Sequence, residues 1–503
     1  MGGNPNKILI IGIDGGDPDF IFNRFKDRLP NIQGLVDRGH HGISHSTIPS
    51  ATIPAWNSFY SGKNPGTHGM FDFTTPPDYN YNIHFINSRY RKIPVFWSSE
   101  FLAKKKCAIL NFPSCYPPDE INGIMISGFD CPLPSGGDRS FIFPPQLYDE
   151  ILKHFGPYRI SGFDQVSLEQ GSLKSASDSL IETAEYKGNV AEWLLMRENW
   201  DLFMVHFGEV DAACHHFWRY YDKDSPRRIR GENDGLSEVI PEVYSKIDEQ
   251  IGKLLNVIED DWVVLLLSDH GFAGTNKVVF HINNFLNEEG LLKFNKQPVF
   301  SDSRLKKLIK VIPVPLRKYL FRGLLGGVTN KVEGIRRFGN IDFSKTRAFS
   351  DELNYFPAIR INQYGKYKSG TVMPGELDML TDSIRMKLIS IKDKDDNAIV
   401  KNIYRREEIY NGRFTEEAPE LIIEMNNPSG YLNGVLPSKP KGSMVTELSK
   451  EELIGGKGSF PTGGHRREGF FLLSNYPGDF IDKTDIQIFD LTEVIYYTMK
   501  STN

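Results

Sequence analysis

Several acidic and imidazole side chains in this sequence come just after runs of apolar residues, where buried strands are expected to end. Carboxylates and imidazoles together suit Zn²⁺, with Mn²⁺ or Fe²⁺ as substitutes, better than they suit Ca²⁺. Asp211 and His215 are four residues apart, so they lie on one face of a helical turn and can bind one metal ion. Six residues are candidate metal ligands on these grounds: Asp14, Asp211, His215, Asp269, His270 and His465.

Thr52 is the candidate nucleophile. Pro54 follows two residues later, and proline is favoured in the first turn of a helix, where its missing N–H costs nothing. The Thr52 hydroxyl is therefore expected at a helix N-terminus, where free N–H groups and the helix dipole favour an anion. Taken alone, this pattern is more typical of a helix N-cap. The six candidate ligands elsewhere in the chain favour the nucleophile instead.

Six ligands and one hydroxyl are the set expected for two divalent metal ions beside a phosphate group. Two such ions can hold the attacking and the leaving oxygens of an in-line displacement at phosphorus. Thr52 would attack once a metal ion had lowered the pKa of its hydroxyl, and water would then release a phospho-threonine intermediate. The sequence therefore predicts a two-metal phosphohydrolase that acts on a phosphate-ester small molecule or a lipid-linked phosphate.

The ligand-bearing segments need a scaffold that brings their ends together. The uninterrupted apolar runs at 8–13 and 262–267 and the mostly apolar segment at 201–207 are typical of buried strands in a parallel sheet with both faces covered. Helices are expected from Thr52 onward and near 19–39, 165–200, 238–259 and 374–391. The predicted fold class is α/β, with a central mostly parallel sheet sandwiched by helices and with loop and helical insertions. Ligands then gather at the carboxyl ends of the strands, and a glycine-rich loop at 455–469 brings His465 over that edge.

The composition disfavours several classes of protein. The chain has 503 residues, 40% of them hydrophobic, and its net charge of −5 does not favour a general nucleic-acid binder. Its four cysteines include no Cys-x-x-Cys pair, which argues against a disulfide framework or a structural zinc knuckle. The apolar run at 8–13 is too short for a signal peptide, and no run of about 18 apolar residues marks a membrane span. The expected location is therefore the cytoplasm.

Residues 303–339 differ in composition from the rest of the chain. They contain ten Lys or Arg residues and one acid, Glu333, while leucines and isoleucines recur at helical spacing. This pattern is typical of a basic amphipathic lid, or of a surface that meets anionic lipid or a polyanionic substrate, and equally of a solvated helical insertion. We predict a catalytic domain formed by residues 1–300 and 340–503, with 301–339 as a basic helical insertion or lid open to peripheral membrane contact.

Several motifs occur in a specific order along almost the whole chain. They are Ile-Gly-Ile-Asp-Gly at 11–15, Thr-Ile-Pro-Ala-Trp at 52–56, Asn-Pro-Gly-Thr-His-Gly at 64–69, Tyr-Pro-Pro at 116–118 with 122–129, the Asp-to-His segment at 211–215 continuing to 220, Ser-Asp-His-Gly-Phe at 268–272, Ser-Lys-Thr-Arg-Ala at 344–348 and Gly-His-Arg-Arg-Glu-Gly at 464–469. This order resembles that of the alkaline phosphatase superfamily, specifically its type I phosphodiesterase/nucleotide pyrophosphatase-like branch of phosphohydrolases and phosphomutases.

The resemblance implies how the ligands divide between two metal ions, most favourably Zn²⁺. The implied sites are one ion at Asp211, His215 and His465 and a second at Asp14, Asp269 and His270, with Thr52 bridging them or adjacent as nucleophile. It also implies the central, mostly parallel sheet between helices that the apolar runs predict.

The sequence departs from the nucleotide pyrophosphatases at one position. Those enzymes have an asparagine after the nucleophile that steadies a phosphate oxygen, and Phe73 occupies the matching place here. Loss of one oxyanion donor costs ~2.7–4 kcal/mol in other enzymes, so another group must substitute or the substrate differs. Asn111 and Lys63 are candidate substitutes. A sulfatase is disfavoured, because the segments after Cys115 and Cys131 lack the arginine that sulfatases need.

Three functions are compatible with these motifs. The first is hydrolysis of a phosphodiester or pyrophosphate bond. The second is a phosphotransferase, phosphomutase or phosphomonoesterase reaction on the same fold. The third is non-catalytic phosphate or lipid binding through 303–339, against which the complete ligand set and the intact Thr52 argue.

Overall fold

The computed structural model describes residues 7–129, 138–161, 173–229, 231, 234–295, 333–449, 452–453, 461–478 and 485–500. The chain divides into two compact units. The first consists of Met1–Met70, Asn87–Thr275 and Ser449–Asn503, and the second of Phe71–Ile86 and Asn276–Leu448. Most of the basic segment at 301–339 lies outside the described residues, so its assignment as an insertion or lid stays a prediction.

The regular elements are numbered in chain order. The strands are β1 (Ile8–Ile13), β2 (Gly39–His45), β3 (Cys107–Leu110), β4 (Gly123–Ile126), β5 (Ile142–Phe143), β6 (Leu202–Phe207), β7 (Val263–Leu267), β8 (Gly271–Phe280), β9 (Ala348–Phe349), β10 (Ala358–Ile361), β11 (Val400–Arg405), β12 (Leu421–Met425), β13 (Leu432–Val435), β14 (Val445–Glu447), β15 (Gly463–Arg466), β16 (Glu468–Ser474) and β17 (Asp485–Gln487). The α-helices are α1 (Pro30–Val36), α2 (Thr52–Ser61), α3 (Pro65–His68), α4 (Leu147–Phe155), α5 (Leu173–Leu195), α6 (Glu209–Tyr221), α7 (Val239–Val257), α8 (Ile282–Glu288), α9 (Leu377–Ile389), α10 (Arg406–Ile409) and α11 (Thr492–Lys500). Among the described residues, no helix has the length and apolar character needed to cross a membrane.

The first unit is built around a nine-stranded sheet with the order β17-β2-β16-β7-β1-β6-β3-β4-β5. The central strands β7, β1, β6, β3 and β4 are parallel to one another. Only β16 and the edge strand β5 run antiparallel to the strands they pair with. The prediction of a central, mostly parallel sheet is therefore confirmed.

Helices cover both faces of this sheet, because its central strands are apolar on both sides. Leu9 and Ile11 of β1 belong to a core that includes residues of α5, α6 and α7. Ile8 and Ile10, on the opposite face, belong to a second core with residues of α2 and α11. Alternation of side chains along a strand accounts for this division, and the two cores together give the predicted sandwich.

The register of the three central strands brings their carboxyl ends to one edge of the sheet. Ile13 lies opposite Phe207 of β6, and Gly12 lies opposite Leu267 of β7. The backbone N–H of Asp14 continues the ladder, donating to the Phe207 carbonyl at 3.0 Å. Whatever follows β1, β6 and β7 must therefore meet at this edge, as expected for a parallel sheet.

The segment predicted as one helix at 19–39 is divided in the structure. It contains helical turns at Phe20–Arg24 and Lys26–Arg28, then α1, and the chain enters β2 at Gly39. The strand was not predicted because its sequence, Gly-His-His-Gly-Ile-Ser-His, is mostly polar and mostly not buried. Pairing with β16 on one side and β17 on the other stabilises β2, and such context outweighs local strand propensity.

His465 lies on a strand, whereas the sequence predicted a loop. The first half of β8 belongs to the first unit and pairs there with β15, so that His465 is opposite Phe272. A Cβ added at Gly463 would lie 2.3 Å from the Cys214 carbonyl oxygen. The glycine is therefore needed for the close approach of α6 to β15, rather than for a flexible loop.

The second unit has its own core and its own sheet. In the described residues, β11, β12, β10 and β9 form a four-stranded antiparallel sheet in that order. Apolar residues of α8, α9 and these strands form its core. Within this unit β14 pairs with the second half of β8, and residues 333–338 are helical.

A buried ion pair joins two helices of the first unit. Lys187 Nζ of α5 lies 2.7 Å from Glu209 Oε1 in the first turn of α6, and both side chains are at most 4% exposed. The other Glu209 oxygen, Oε2, is buried without a hydrogen-bond partner among the described residues. Because an isolated buried charge is far more costly than a buried pair, each partner depends on the other.

We predict that Lys187→Met lowers the free energy of unfolding by ~3–5 kcal/mol, because it leaves the Glu209 carboxylate buried and unpaired. The double variant Lys187→Met/Glu209→Met should recover most of that loss, since no charge then remains. All six tryptophans belong to the first unit, so urea unfolding followed by tryptophan fluorescence measures this unit. Arg197→Ala is the control, because the Arg197–Glu150 pair is partly exposed. Equal losses in the single and double variants would contradict the prediction.

A buried carboxyl group in the second unit is poorly compensated. Asp72 is 7% exposed and accepts a hydrogen bond from the Phe73 N–H at 2.6 Å. Burial, with a smaller contribution from nearby Asp351, raises the pKa of Asp72 to about 7, although Arg337 opposes the rise. Arg337 itself donates to Asp351 at 2.9 Å. Between the pKa of the unfolded chain, 3.8, and the folded value of about 7, the folded state therefore keeps a proton on Asp72 that the unfolded chain has lost.

We predict that Asp72→Asn stabilises the second unit increasingly as the pH rises from 4 to 7. Between the unfolded pKa and about 7 the folded state binds more protons than the unfolded state, so wild-type stability falls as the pH rises. The difference between variant and wild type should grow by up to about 4 kcal/mol over this range. Hydrogen exchange of peptides from β10 and β12 measures it.

The exposed Asp78 of the same segment provides the control. Burial raises its pKa, but hydrogen bonds from Asn82 and Asn80 together outweigh burial and lower it, so Asp78→Asn should give no such rise and a small effect of opposite sign. A pH-independent difference for Asp72→Asn would show that its carboxyl group ionises normally.

Candidate active site

The candidate residues converge at the carboxyl edge of the first unit's sheet. Asp14 follows β1, and Asp269 and His270 lie between β7 and β8. Asp211 and His215 are on α6, directly after β6, while His465 reaches the same edge from β15. Each of these six side chains contacts at least one of the others. The structure therefore brings together all six predicted ligands.

Asp14, Asp269 and His270 form one group of potential ligand atoms within 4.8 Å of one another. His270 Nε2 lies 3.2 Å from Asp269 Oδ2 and 3.5 Å from Asp14 Oδ1. Both of these carboxylate oxygens are buried and have no hydrogen-bond partner among the described residues. Unpartnered buried carboxylate oxygens are costly, and a cation between them would remove that cost.

Asp211, His215 and His465 form a second group. His465 Nε2 lies 3.1 Å from Asp211 Oδ1 and 3.0 Å from His215 Nε2. His215 Nε2 is also 3.4 Å from Asp211 Oδ1. Ligand atoms of Asp211, His465 and His270 also lie within 4.8 Å of one another. His270 thus belongs to both sets, which are adjacent, and the division implied by the resemblance stays a prediction.

Backbone carbonyls orient all three imidazoles in the same way. The Nδ1 atoms of His215, His270 and His465 lie 2.9, 3.2 and 2.8 Å from the carbonyl oxygens of Gly463, Gly271 and Ser50. A carbonyl oxygen only accepts, so each Nδ1 donates its proton and Nε2 presents a lone pair when the ring is neutral. Such outward hydrogen bonds are usual for metal-ligating histidines.

The electrostatics of the cluster also favour a cation. Burial and the neighbouring Asp14 raise the pKa of Asp269 well above its usual value. Burial, together with His465, whose ring stacks on it with centroids 3.5 Å apart, lowers the pKa of His270 to about 3. Burial works against a charged Asp211, yet His215 and His465 hold the pKa of Asp211 well below its usual range. The donor set therefore fits one or two divalent ions.

Thr52 is the first helical residue of α2, and its side chain is 3% exposed. The N-cap position belongs to Ala51, so the interpretation of Thr52 as a capping residue is wrong. Its Oγ1 lies 3.4 Å from His270 Nε2. The hydroxyl therefore lies both at the start of a helix and beside the ligand cluster, as expected for a nucleophile next to a metal site.

The two candidates for phosphate contact, Asn111 and Lys63, have no described contact with this cluster. Asn111, just after β3, has a φ of 68° and accepts a hydrogen bond from the Tyr158 hydroxyl. Lys63 is exposed at the end of α2. Phe73 belongs to the second unit, where its ring lies 6.4 Å from that of Tyr355. The group that contacts phosphate in place of the missing asparagine stays unassigned.

Sequence reasoning missed two residues that contact Asp14. His206 Nε2 of β6 lies 3.0 Å from Asp14 Oδ2, and the Trp56 indole N–H donates to the same oxygen at 3.4 Å. A signal for His206 was present, because it is a lone polar residue within the apolar strand Leu202–Phe207. A buried polar side chain needs a partner, and the register of β6 against β1 supplies Asp14.

The family model of the type I phosphodiesterases/nucleotide pyrophosphatases matches residues 8–434. This chain belongs to that family. The match includes five of the six ligand candidates and Thr52, and it confirms the resemblance to the alkaline phosphatase superfamily. Members of the family are hydrolases of phosphate esters and depend on metal ions.

Two solved structures illustrate how far the fold is shared. Phosphonoacetate hydrolase from Sinorhizobium meliloti, in complex with phosphonoformate, is 13% identical with a TM-score of 0.55, covering 99% of this chain and 96% of its own. Human ectonucleotide pyrophosphatase/phosphodiesterase 5 is 12% identical with a TM-score of 0.50, covering 98% and 94%. At these identities the likeness shows the fold alone. A search of curated proteins finds no similar sequence.

We predict that the metal-free protein takes up two Zn²⁺ ions per chain and is stabilised by them. Each site adds about 2.7 kcal/mol to the free energy of unfolding at a hundredfold excess of free ion over its Kd. Asp269→Asn should bind one ion fewer, because it removes a carboxylate oxygen that faces His270 at 3.2 Å. Elemental analysis after dialysis counts the ions, and thermal unfolding by tryptophan fluorescence measures the stabilisation.

Asp248→Asn is the matched control for this experiment. Asp248 is also a buried aspartate of the first unit, but N–H groups of Asn31 and Ile32 occupy both its oxygens. This substitution should lower stability without changing the number of bound ions. A wild-type protein that retains no metal ion, or an Asp269→Asn variant that retains as many as wild type, would refute the assignment.

Proposed function

We propose that this protein hydrolyses a phosphodiester or pyrophosphate bond with Thr52 as nucleophile, through a phospho-threonine intermediate, and that it uses two divalent ions. The observation that supports this most directly is the position of Thr52 Oγ1, 3.4 Å from His270 Nε2 in a cluster of six aspartates and histidines, of which Asp14, Asp269, His270 and His465 are buried. Membership of the phosphodiesterase/nucleotide pyrophosphatase family supports the reaction class.

The proposed ions have a defined donor set. Asp14, Asp269 and His270 would hold one ion, and Asp211, His215 and His465 the other. When bound, the ions, most favourably Zn²⁺, supply positive charge that lowers the pKa of an attacking hydroxyl and stabilises the charge developing on phosphate oxygens.

The chain's own groups supply the rest of the proposed reaction. The first turn of α2 has N–H groups without helical partners, which favour a phosphate oxygen beside Thr52. The Thr52 oxygen would bond to phosphorus as the ester oxygen leaves, and the leaving alcohol or phosphate would take a proton. A water molecule would then displace the Thr52 oxygen, which restores the enzyme and releases the phosphorylated product.

The proposed substrate is a small phosphate ester or a lipid-linked phosphate. The two solved structures of this fold include an enzyme complex with phosphonoformate, a small phosphate-like anion. Support for a lipid-linked substrate comes only from the composition of 303–339, whose residues up to 332 lie outside the described part of the chain.

We predict that Thr52→Ala reduces turnover of bis-p-nitrophenyl phosphate by about 10³-fold or more, as loss of a nucleophile does elsewhere. Thr52→Ser retains a hydroxyl and should keep measurable activity. Mass spectrometry of acid-quenched wild-type protein should find a phosphoryl group on Thr52. Ser61→Ala is the control, because Ser61 is a hydroxyl at the far end of the same helix that donates to the Asn57 carbonyl. Equal rates for Thr52→Ala and wild type would exclude this mechanism.

The choice among the related reactions follows from the products. The metal-loaded enzyme would be assayed on bis-p-nitrophenyl phosphate, p-nitrophenyl phosphate and a nucleotide sugar, with and without an added alcohol. A diesterase should prefer the first or third substrate and release products hydrolysed by water. Preference for p-nitrophenyl phosphate would identify a monoesterase, and phosphorylation of the alcohol a phosphotransferase. No turnover of any ester with two ions bound would refute the proposal.

A further inference from the structure

Asp14 has two oxygens in very different surroundings. Oδ1 faces His270 Nε2 at 3.5 Å and has no hydrogen-bond partner among the described residues. Oδ2 points the other way and contacts two ring nitrogens, Nε2 of His206 at 3.0 Å and Nε1 of Trp56 at 3.4 Å. One carboxylate oxygen therefore faces the candidate ligands, and the other is held by the contacts with His206 and Trp56.

His206 is held in place by its strand and by two aromatic rings. It lies on β6 opposite Gly12, two residues before Asp14 on the neighbouring strand β1. The rings of Trp56 and Phe112 lie with centroids 5.2 Å from its own, at interplanar angles of 83° and 50°. His206 is 1% exposed. Water does not reach this imidazole, and its Nε2–H has the Asp14 carboxylate as a hydrogen-bond acceptor.

The Trp56 ring packs against Gly12, which leaves room for the ring because it has no side chain. A Cβ at position 12 would lie 2.7 Å from the Trp56 ring, closer than real Cβ contacts, and 3.0 Å from Phe112. Trp56 is four residues after Thr52 on α2, so both side chains lie on one face of that helix. The indole therefore connects the helix that begins with Thr52 to the carboxylate of Asp14.

We propose that His206, assisted by Trp56, is a positioning residue that holds Asp14 as a one-oxygen ligand of its metal ion. This inference rests on the proposed function, because it assumes that Asp14 binds an ion. His206 donates to Oδ2, which stops the carboxylate from rotating and leaves Oδ1 directed toward His270. Hydrogen bonds to the outer oxygen of a ligating carboxylate commonly set its orientation and its affinity for the ion.

The inference predicts a specific effect on one of two metal sites. The metal-free protein would be titrated with Zn²⁺ in competition with a chromophoric chelator. His206→Phe should weaken binding of the ion that Asp269→Asn loses by about 10- to 100-fold, the usual effect of removing such a partner. The other ion should bind as in wild type. His206→Gln, which can still donate an N–H toward Oδ2, should restore most of the affinity.

Kinetics provide a second readout. With bis-p-nitrophenyl phosphate at saturating Zn²⁺, His206→Phe should lower kcat more than it raises KM, because His206 touches Asp14 and not the substrate. Trp56→Phe removes only the longer hydrogen bond, at 3.4 Å, and should have a smaller effect of the same kind. If His206→Phe does not fold, the Zn²⁺ affinities of His206→Gln and Trp56→Phe test the same contact, and both should be weaker than that of wild type.

His68→Phe separates positioning from general destabilisation. His68 is also a buried histidine of the first unit, but its Nε2 lies 2.9 Å from Ser58 Oγ, so this variant should lose stability and keep both ions. If His206→Phe and Trp56→Phe bind both ions and turn over ester as wild type does, the positioning role is wrong and the proposed function stands. If wild type binds no ion and Thr52→Ala is as active as wild type, both fall.

Discussion

The candidate site of the first unit is a group of buried polar atoms at one edge of a parallel sheet, and two of its carboxylate oxygens receive no hydrogen bond among the described residues. The register of β1 against β6 and β7 places Asp14 and Asp269 there, with Oδ1 of one and Oδ2 of the other lacking hydrogen-bond donors among the described residues. Burial of carboxylates without partners is unfavourable by several kcal/mol in other proteins. The sheet tolerates this edge because two apolar cores stabilise it on either face, and a divalent cation would neutralise it.

Orientation of the ligands depends on backbone atoms from separate parts of the chain. The carbonyls of Ser50, Gly271 and Gly463 each accept a hydrogen bond from a different imidazole. Ser50 lies in the loop that precedes Thr52, so the hydrogen bond from His465 also fixes the approach to the nucleophile. Ligand geometry and nucleophile position are therefore coupled through the main chain. Substitution of a side chain disturbs such backbone contacts less than it disturbs contacts between side chains.

Phe73 occupies the place at which nucleotide pyrophosphatases have a phosphate-binding asparagine. Phe73 packs against Tyr355 in the second unit, next to the buried carboxyl group of Asp72. An aromatic ring offers apolar surface and no hydrogen-bond donor to a phosphate oxygen. Family membership thus defines the reaction class, while this segment requires either that another group contacts the phosphate in place of the asparagine or that the substrate differs.

The central strands, the six candidate ligands and the place of Thr52 could be predicted from the amino-acid order, because burial on both faces requires continuous apolar runs and the polar residues that end them are conspicuous. Three features became evident only in the fold: β2 is a strand, His465 lies on β15, and His206 and Trp56 both contact Asp14. Each of these results from pairing between segments distant in the chain. Such pairing leaves no local periodicity in the sequence, and it appears only when the strands are in register.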